Sequence, residues 1–400
     1  MKNVRFSICA SQQLLYQRKH LIMGKVHITL VGGQAMPVYN GIAAVQPDMV
    51  VFVYSKESIN VVNAVKNETG IPFDEQEPLH ETDPQEIISR AQSLAEKYKD
   101  DEITLNITSG LKSWSHLFAR VFDQLPNATI IYIDQNNVLW DYKQMNSTQT
   151  IDFDMDASFR LQGNPLKHYI PFADFTEEDK QSADTLVAAR RYNCGSFNKL
   201  TTILTNDWKN KVENQKSGCL SLSETDYVEW EKPDFIRLVL STKKYGIQEF
   251  VLESPNAVHL AFNAGWFEYR IARMLSHWKY AKDIRLNCIF PLQKGGSVKF
   301  PKNEIDIIVN TGTKILFVEC KTQISQSTDI DKFRTAVKNY GGLGNKALFI
   351  TDNVMTDLQK EKCKESGIIS FSLQDSTTPS NKEQELFRLL DITLFNINTK

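Results

Sequence analysis

The segment ITLNITSGLK, residues 103–112, joins a strand-like run to a Ser-Gly turn and a helix-forming stretch. Its apolar and β-branched residues predict a strand, and its glycine predicts a sharp turn into a helix over 111–124. The same pattern recurs on both sides, with strands predicted at 26–33 (VHITLVGG), 49–55 (MVVFVYS) and 129–134 (TIIYID) and helices at 59–67 and 84–99. Strands that alternate with helices predict a mostly parallel sheet wrapped by helices, which is a Rossmann-like α/β domain.

The rest of the chain predicts a second globular unit behind a connecting region. A hairpin is expected from strands at 138–143 and 151–155 around a polar turn at 145–149, and residues 212–255 show no sharp periodicity. An α/β pattern returns with a helix over 264–280, strands at 304–310, 314–321 and 346–352, and a helix over 329–340. The predicted organisation is an N-terminal extension (1–22), the Rossmann-like domain (23–155), a connecting module with its own helices (156–255) and a C-terminal α/β domain (256–400).

Composition and charge narrow the class of protein. With 400 residues, of which 42% are hydrophobic and 24% charged, the chain is long enough for two or three globular domains. Its net charge of −2 gives no basic excess, so a nucleic-acid contact must depend on local patches or on a bridging metal. Six scattered cysteines favour a reducing cytoplasm, and no apolar run reaches membrane-spanning length. Residues 1–22 are interpreted either as an appendage before the first strand or as a short docked helix.

The strongest chemical signal lies in two neighbouring strands. Asp306 belongs to EIDIIVN (304–310), and Glu319 and Lys321 belong to KILFVECK (314–321). Because side chains alternate along a strand, Glu319 and Lys321 share one face.

Two hairpin registers are open at this point. A two-residue turn at 312–313 sets Asp306 opposite Glu319, whereas a turn at 311–312 sets Glu304 opposite Glu319 and leaves Asp306 on the diagonal. Either register keeps all three carboxylates on the face of the lysine. Such a set is costly in a core unless it is paired or binds a metal.

These residue types suit phosphodiester hydrolysis. Asp306 and Glu319 form an oxygen-rich site for Mg²⁺ or Mn²⁺, which polarises a phosphodiester and lowers the pKa of a bound water. Lys321 can orient the nucleophile or stabilise the charge of the transition state. Glu268, on the helix before the hairpin, can add a ligand or a supporting contact.

A second signal lies at the carboxyl ends of the first-domain strands. The strand over 103–106 opens a helix through Ser109-Gly110, the first strand ends in Gly32-Gly33, and Lys112 adds a positive charge. A helix N-terminus attracts anions, and ligands of doubly wound sheets bind at such strand ends. Neither turn matches a dinucleotide fingerprint or a Walker P-loop.

Two family resemblances follow from these residues. The pattern from Asn106 to Lys112, with the Gly-rich first turn, resembles the CARF domain, a sensor of cyclic oligoadenylates in type III CRISPR defence. The set of Glu268, Asp306, Glu319 and Lys321 resembles the PD-(D/E)xK nuclease superfamily. A CARF domain followed by one such nuclease domain resembles the CRISPR ancillary nucleases that cyclic tetra-adenylate activates.

The resemblance implies a function and its residues. It implies a cytoplasmic homodimer that binds cyclic tetra-adenylate and, with Mn²⁺ or Mg²⁺, cuts single-stranded DNA and RNA and nicks supercoiled DNA. A cyclic ligand with two-fold symmetry suits a site shared by two identical sensor faces. The residues expected to contact the ligand are Gly33, Gln34, Asn106, Thr108, Ser109, Gly110 and Lys112. The residues expected to be catalytic are Glu268, Asp306, Glu319 and Lys321, with Asp306 and Glu319 as metal ligands.

Two alternatives compete with this interpretation. Arg270 and His277 have the spacing of a metal-independent HEPN ribonuclease, although two polar residues on an amphipathic helix are the simpler explanation. The chain could also be a non-enzymatic nucleotide sensor with a degenerate nuclease-like domain, against which the intact Glu319-Cys320-Lys321 argues.

Overall fold

The computed structural model describes most of the chain as two compact units, Met1–Pro165 and Leu166–Lys400. The described residues are 24–202, 211–212, 214–262, 264–290, 303–324, 326, 328–341, 345–374 and 381–397. The expected N-terminal extension, residues 1–22, lies outside them. The predicted division at residues 155 and 255 stays a prediction.

A seven-stranded sheet in the order β3-β2-β1-β4-β5-β6-β7 organises the first unit. Its strands are β1 (Lys25–Val31), β2 (Met49–Tyr54), β3 (Phe73–Asp74), β4 (Glu102–Asn106), β5 (Ala128–Ile133), β6 (Val138–Asp141) and β7 (Asn146–Thr150). Its helices are α1 (Ala35–Val45), α2 (Ile59–Thr69), α3 (Pro84–Lys97), α4 (Lys112–Phe122) and α5 (Met155–Leu161), with a 3₁₀ turn at Lys56–Ser58. The first five strands are parallel and the last two antiparallel, which confirms the predicted α/β class.

Alternation along β1 explains why helices cover both faces of this sheet. Ile28 and Leu30 pack into a core with α3 and α4, whereas Val31 packs into a second core with α1 and α2. Strand β1 is therefore buried on both sides, as its continuous apolar sequence requires.

Two local predictions for this unit were wrong or incomplete. Helix α1 was not predicted because it contains Pro37 and Gly41, yet a proline in the first turn lacks only an N–H that needs no partner there. The second strand of the hairpin is β7, in the stretch predicted as the turn. Asp154 instead caps α5 by accepting a hydrogen bond from the Ala157 N–H at 2.9 Å, so the chain after β7 turns into a helix.

The second unit contains a six-stranded sheet, in the order β17-β16-β15-β14-β13-β8, and a four-stranded sheet, in the order β12-β11-β10-β9. The strands are β8 (His168–Pro171), β9 (Ser217–Ser221), β10 (Tyr227–Glu231), β11 (Phe235–Thr242), β12 (Gly246–Glu253), β13 (Asp283–Phe290), β14 (Asn303–Asn310), β15 (Ile315–Lys321), β16 (Lys346–Thr351) and β17 (Ile368–Ser372). The helices are α6 (Glu177–Tyr192), α7 (Cys194–Thr202), α8 (Ala257–Ala261), α9 (Gly265–Ser276), α10 (Thr328–Tyr340), α11 (Asp357–Glu365) and α12 (Lys382–Phe395), with a 3₁₀ turn at Phe172–Asp174.

The antiparallel sheet β9–β12 and strand β13 were not predicted. The expected start of α6 is confirmed, because Thr176 and Asp179 form a reciprocal capping box. The antiparallel sheet buries alternate residues such as Val228, Trp230 and Leu238. Pro233 lies in the β10–β11 turn and Gly246 has a φ of +78° at the start of β12, so turn residues interrupt the strand pattern. Within the described ranges, none of the helices has the length and apolar character needed to span a bilayer.

Candidate active site and ligand loops

The β14–β15 hairpin selects one of the two predicted registers. Ile307 pairs with Val318, and the Thr311 N–H donates to the Lys314 carbonyl at 2.9 Å. The loop is therefore 312–313, where Gly312 takes a φ of +85° that favours glycine. Continuing this register sets Asp306 opposite Glu319, as the first alternative predicted.

The strand ladder changes at the candidate site. The paired residues of β14 and β15 end at Ile307 and Val318, one step before the two acids. There the Cys320 N–H donates to Asp306 Oδ2 at 2.7 Å, in place of a backbone carbonyl of the opposite strand. The carboxylate thereby satisfies a buried backbone donor, and the two strands need no further pairing at this point.

Lys321 joins the two carboxylates. Its Nζ lies 2.6 Å from Glu319 Oε1 and 3.6 Å from Asp306 Oδ2. The side chains of Asp306 and Glu319 are only 12% and 15% exposed, whereas that of Lys321 is 37% exposed. The ammonium group thus borders solvent while the acids lie behind it, which leaves one side of the site accessible to a substrate.

The surroundings of this cluster favour the neutral form of two of its acids, Glu319 and Glu268. Burial raises the pKa of Glu319 to about 8, and the nearby Asp306 carboxylate adds to the effect. Glu268 on α9 is buried, and burial together with Asp306 and Glu304 raises its pKa well above its usual value. Burial opposes the charge of Lys321, but Asp306 and Glu319 outweigh it and raise the pKa of this amine. One lysine is therefore surrounded by more acidic groups than it can neutralise.

This donor set fits a hard divalent cation. Among the described residues, no group of three or more His, Cys, Asp or Glu side chains is arranged to hold a metal ion. Asp306 and Glu319 supply two carboxylates, which is the number that Mg²⁺ sites use when water and phosphate oxygens complete the octahedron. A divalent cation would also offset the excess of negative charge that raises the pKa of Glu319.

The structure does not bring Arg270 and His277 together at one site. Arg270 Nη1 contacts Asp352 Oδ1 at 3.2 Å, and His277 Nδ1 lies 3.4 Å from Glu383 Oε2 on α12. Asp352 had no predicted role, although an aspartate directly after the buried strand β16 is a recognisable signal. Asp352 also forms an ion pair with Arg190 of α6.

The two predicted ligand loops of the first unit meet at the edge of its sheet. Gly32 N–H donates to Ser109 Oγ at 3.3 Å, and Ser109 Oγ donates to the Gln34 carbonyl at 3.0 Å. A Cβ on Gly32 would lie 1.9 Å from the Ser109 carbonyl oxygen, so only glycine permits this approach. A Cβ on Gly110 would lie 2.5 Å from Leu30 Cβ, which requires glycine in the second loop as well.

Some predicted ligand residues face inward and others face solvent. Asn106 is fully buried, and its Oδ1 accepts hydrogen bonds from the Thr108 N–H at 3.0 Å and the Thr108 hydroxyl at 2.6 Å. Gly33, Gln34 and Lys112 are exposed at the same edge. The structure therefore gives Asn106 a role in shaping the loop and leaves the last three residues accessible.

Both helices that start at these loops lack a side-chain N-cap. Helix α1 follows Gln34 and helix α4 follows Leu111, and neither cap residue accepts a side-chain hydrogen bond from the first turn. Their backbone N–H groups, together with the Lys112 ammonium group, make this edge suited to an anionic ligand.

A family match identifies the first unit as a CARF domain. Residues 26–160 match the family described as the Card1 CARF domain. This match confirms the resemblance inferred from the strand-end motifs. No protein among the curated sequences matches the chain.

Three solved structures are similar to this chain over most of its length. Can2 from Sulfobacillus thermosulfidooxidans, in complex with cyclic tetra-adenylate, has 16% identity and a TM-score of 0.61, covering 92% of this chain and 99% of that chain. Protein VC1899 from Vibrio cholerae has 15% identity and a TM-score of 0.67, covering 92% and 98%. A type III CRISPR defence DNA nuclease activated by cyclic oligoadenylate has 12% identity and a TM-score of 0.56, and the match covers 92% of this chain and 52% of that one. At these identities the likeness shows the fold.

The raised pKa of Glu268 predicts a pH-dependent stability difference. The folded chain keeps this carboxyl neutral at pH values where the unfolded chain, with a pKa near ~4.3, has released the proton. Ionisation of Glu268 therefore costs the wild type stability as the pH rises above that value, and Glu268→Gln lacks this contribution. We expect the free energy of unfolding of Glu268→Gln, relative to wild type, to increase between about pH 5 and about pH 8 in EDTA.

Denaturant titrations at both pH values check this expectation. Glu361→Gln, on the exposed surface of α11, serves as the control and should show no such trend. A difference for Glu268→Gln that stays constant or falls with pH would contradict a neutral buried carboxyl.

Proposed function

We propose that this protein is a metal-dependent nuclease that a cyclic oligoadenylate activates in type III CRISPR defence. The CARF domain supports the sensing half of this function, because CARF domains are nucleotide sensors. The fold shared with Can2, which was solved with cyclic tetra-adenylate, makes that ring the first ligand to test. We place the protein in the cytoplasm, as a homodimer.

The proposed nuclease activity rests on the cluster of Asp306, Glu319 and Lys321. Its lysine lies 2.6 Å from one carboxylate and 3.6 Å from the other, at the point where paired strands separate. Buried acids with an unbalanced negative charge destabilise a fold, so their presence favours a functional site. The cluster also matches the PD-(D/E)xK pattern, to which we assign this domain.

Each residue has a distinct role in the proposed reaction. Asp306 and Glu319 would hold a Mn²⁺ or Mg²⁺ ion, which would polarise the phosphodiester and lower the pKa of a bound water. The Cys320 N–H fixes the orientation of Asp306 through its hydrogen bond. Lys321, the most exposed member, orients the attacking water and stabilises the charge that develops on the phosphate. Glu268, whose pKa is raised by burial and by Asp306, adds a supporting contact to these carboxylates.

The sensing site lies at the carboxyl edge of the first sheet. We propose that the phosphates of the ring meet the first turns of α1 and α4 and the ammonium group of Lys112. Gly33 and Gln34 contact the ligand from the first loop, and Ser109 and Gly110 from the second. Asn106 and Thr108 hold the second loop in shape through their mutual hydrogen bonds.

Ligand binding controls cutting through a difference in affinity. A cyclic oligoadenylate that binds the active state more tightly than the inactive state shifts the population toward the active one. The substrates proposed are single-stranded DNA and RNA, and supercoiled DNA that is nicked.

Neither alternative function has support of the same kind. A HEPN-type ribonuclease would need Arg270 and His277 to act on one phosphate, but each contacts a different acidic residue. A non-enzymatic sensor would need no lysine between two buried carboxylates. Both alternatives predict that EDTA leaves the behaviour of the protein unchanged.

Replacing the catalytic lysine should separate cutting from sensing. We expect Lys321→Ala to lower the cleavage rate at least about 10²-fold, because it removes the cation aimed at the reacting phosphate. Binding of cyclic tetra-adenylate should stay unchanged in calorimetry. Lys338→Ala, an exposed lysine late in α10, is the matched control. Cutting at the wild-type rate by Lys321→Ala would exclude this lysine from catalysis.

Replacing the loop lysine should weaken sensing. We expect Lys112→Gln to bind cyclic tetra-adenylate about tenfold more weakly, because a charged hydrogen bond to phosphate is lost. Lys25→Gln removes the same charge at the start of β1, which lies at the opposite edge of the parallel strands, and should bind as the wild type does. Equal affinities of the two variants would remove Lys112 from the ligand site.

A further inference from the structure

A groove between helices α6 and α9 lies outside the clusters described so far. It comprises two adjoining cavities of about 330 Å³ and about 260 Å³ within the second unit. Both are lined by Val187 and Arg191 of α6 and by Arg270 of α9. We call this feature the arginine groove.

The charge of the groove is predominantly positive. Four arginines line it, which are Arg190, Arg191, Arg270 and Arg273. Two acids oppose them. Asp352 contacts Arg190 and Arg270, and the exposed Asp184 contacts Arg273 at 3.2 Å. Arg191 is exposed and forms no ion pair among the described residues, so its guanidinium group can bind an anion from solution.

Several of these arginines are held in place. Arg190 stacks over the ring of Trp266 with its Cζ 5.4 Å from the centroid, and it also pairs with the buried Asp352. Arg270 is 33% exposed and uses Nη1 for its contact with the same acid. A planar, pre-oriented guanidinium group suits phosphate oxygens and loses little entropy on binding. The groove is therefore organised before any ligand arrives.

The groove adjoins the candidate active site through the backbone. The Asp352 N–H donates to the carbonyl of Lys321 at 3.2 Å, and Thr351 pairs with Lys321 across the parallel strands β15 and β16. A strand bound in the groove would thus pass beside the carboxyl ends of β15 and β16, where Lys321 and Asp352 are joined through the backbone.

We propose that the arginine groove binds the sugar-phosphate backbone of the nucleic-acid strand that the protein cuts, a few nucleotides from the scissile phosphate. The inference rests on the proposed nuclease function and names the surface by which the substrate is held. The chain has a net charge of −2, so it needs a local cationic surface to bind a polyanion. Arginine pairs bidentately with phosphate and without regard to base, which suits cleavage of single strands of any sequence.

The experiment measures strand binding and its salt dependence. A labelled single-stranded DNA oligonucleotide is titrated with full-length Glu319→Gln protein, which keeps the strand intact, in the presence of cyclic tetra-adenylate and Mn²⁺. Adding Arg191→Glu should weaken binding by about tenfold at low salt and reduce the slope of log K against log[KCl] by about 1. Arg388→Glu reverses the same charge on the exposed face of α12 and should leave both values unchanged.

A kinetic measurement separates positioning from chemistry. In the chain with an intact Glu319, Arg191→Glu should raise KM about tenfold and change kcat less than about twofold, because the contact is equal in ground and transition states. Arg191 is exposed and unpaired among the described residues, so thermal unfolding of this variant should match the wild type. Arg270→Gln provides a second variant with the same expected direction.

Each outcome decides one of the two proposals. If the wild type cuts and the Arg191→Glu protein binds and cuts as its parent does, the groove proposal is wrong and the nuclease function stands. If the Glu319→Gln protein binds the strand and Arg191→Glu abolishes that binding, but the wild type does not cut, the groove binds nucleic acid and the nuclease function fails. If the wild type does not cut and the Glu319→Gln protein does not bind the strand, both are wrong.

Discussion

The contact between the Lys321 ammonium group and Glu319, with Asp306 alongside, is the interaction on which the proposed chemistry of the second unit depends. It requires strand β15 to present Glu319 and Lys321 on one face and strand β14 to end its pairing just before Asp306. The Cys320 N–H, bonded to Asp306, satisfies the backbone where the ladder stops. Strands β14 and β15, their turn and helix α9 meet at this site. Its excess of acidic side chains suits it to a divalent cation.

Much of this site could be predicted because the governing rules are local. Side-chain alternation placed Glu319 beside Lys321, and a glycine in a two-residue loop limited the hairpin to two registers. The structure selects the register with Gly312 first, since that residue takes the positive φ. The parallel sheet of the first unit was also predictable, because strands buried on both faces have continuous apolar sequences.

Other features depend on contacts between distant residues and could not be predicted. Asn106 Nδ2 donates to the Pro37 carbonyl at 3.2 Å, and Arg190 pairs with Asp352; both contacts join residues far apart in sequence. The sheet β9–β12 was missed because Pro233 and Gly246 interrupt its strand pattern, although tertiary packing of Trp230 stabilises it. The second strand of the hairpin was predicted at 151–155 but is β7, Asn146–Thr150. Residues 151–155 do not extend it because Asp154 caps helix α5.

The most direct test of the account is a cleavage time course of the wild-type protein on labelled single-stranded DNA and RNA. Four conditions combine the presence or absence of Mn²⁺ with the presence or absence of cyclic tetra-adenylate. The account predicts rapid cutting only when both are present, because the ion completes the acidic cluster and the ring selects the active state. Equal cutting with and without the ring would contradict a controlled nuclease, and cutting that persists in EDTA would contradict the metal site at Asp306 and Glu319.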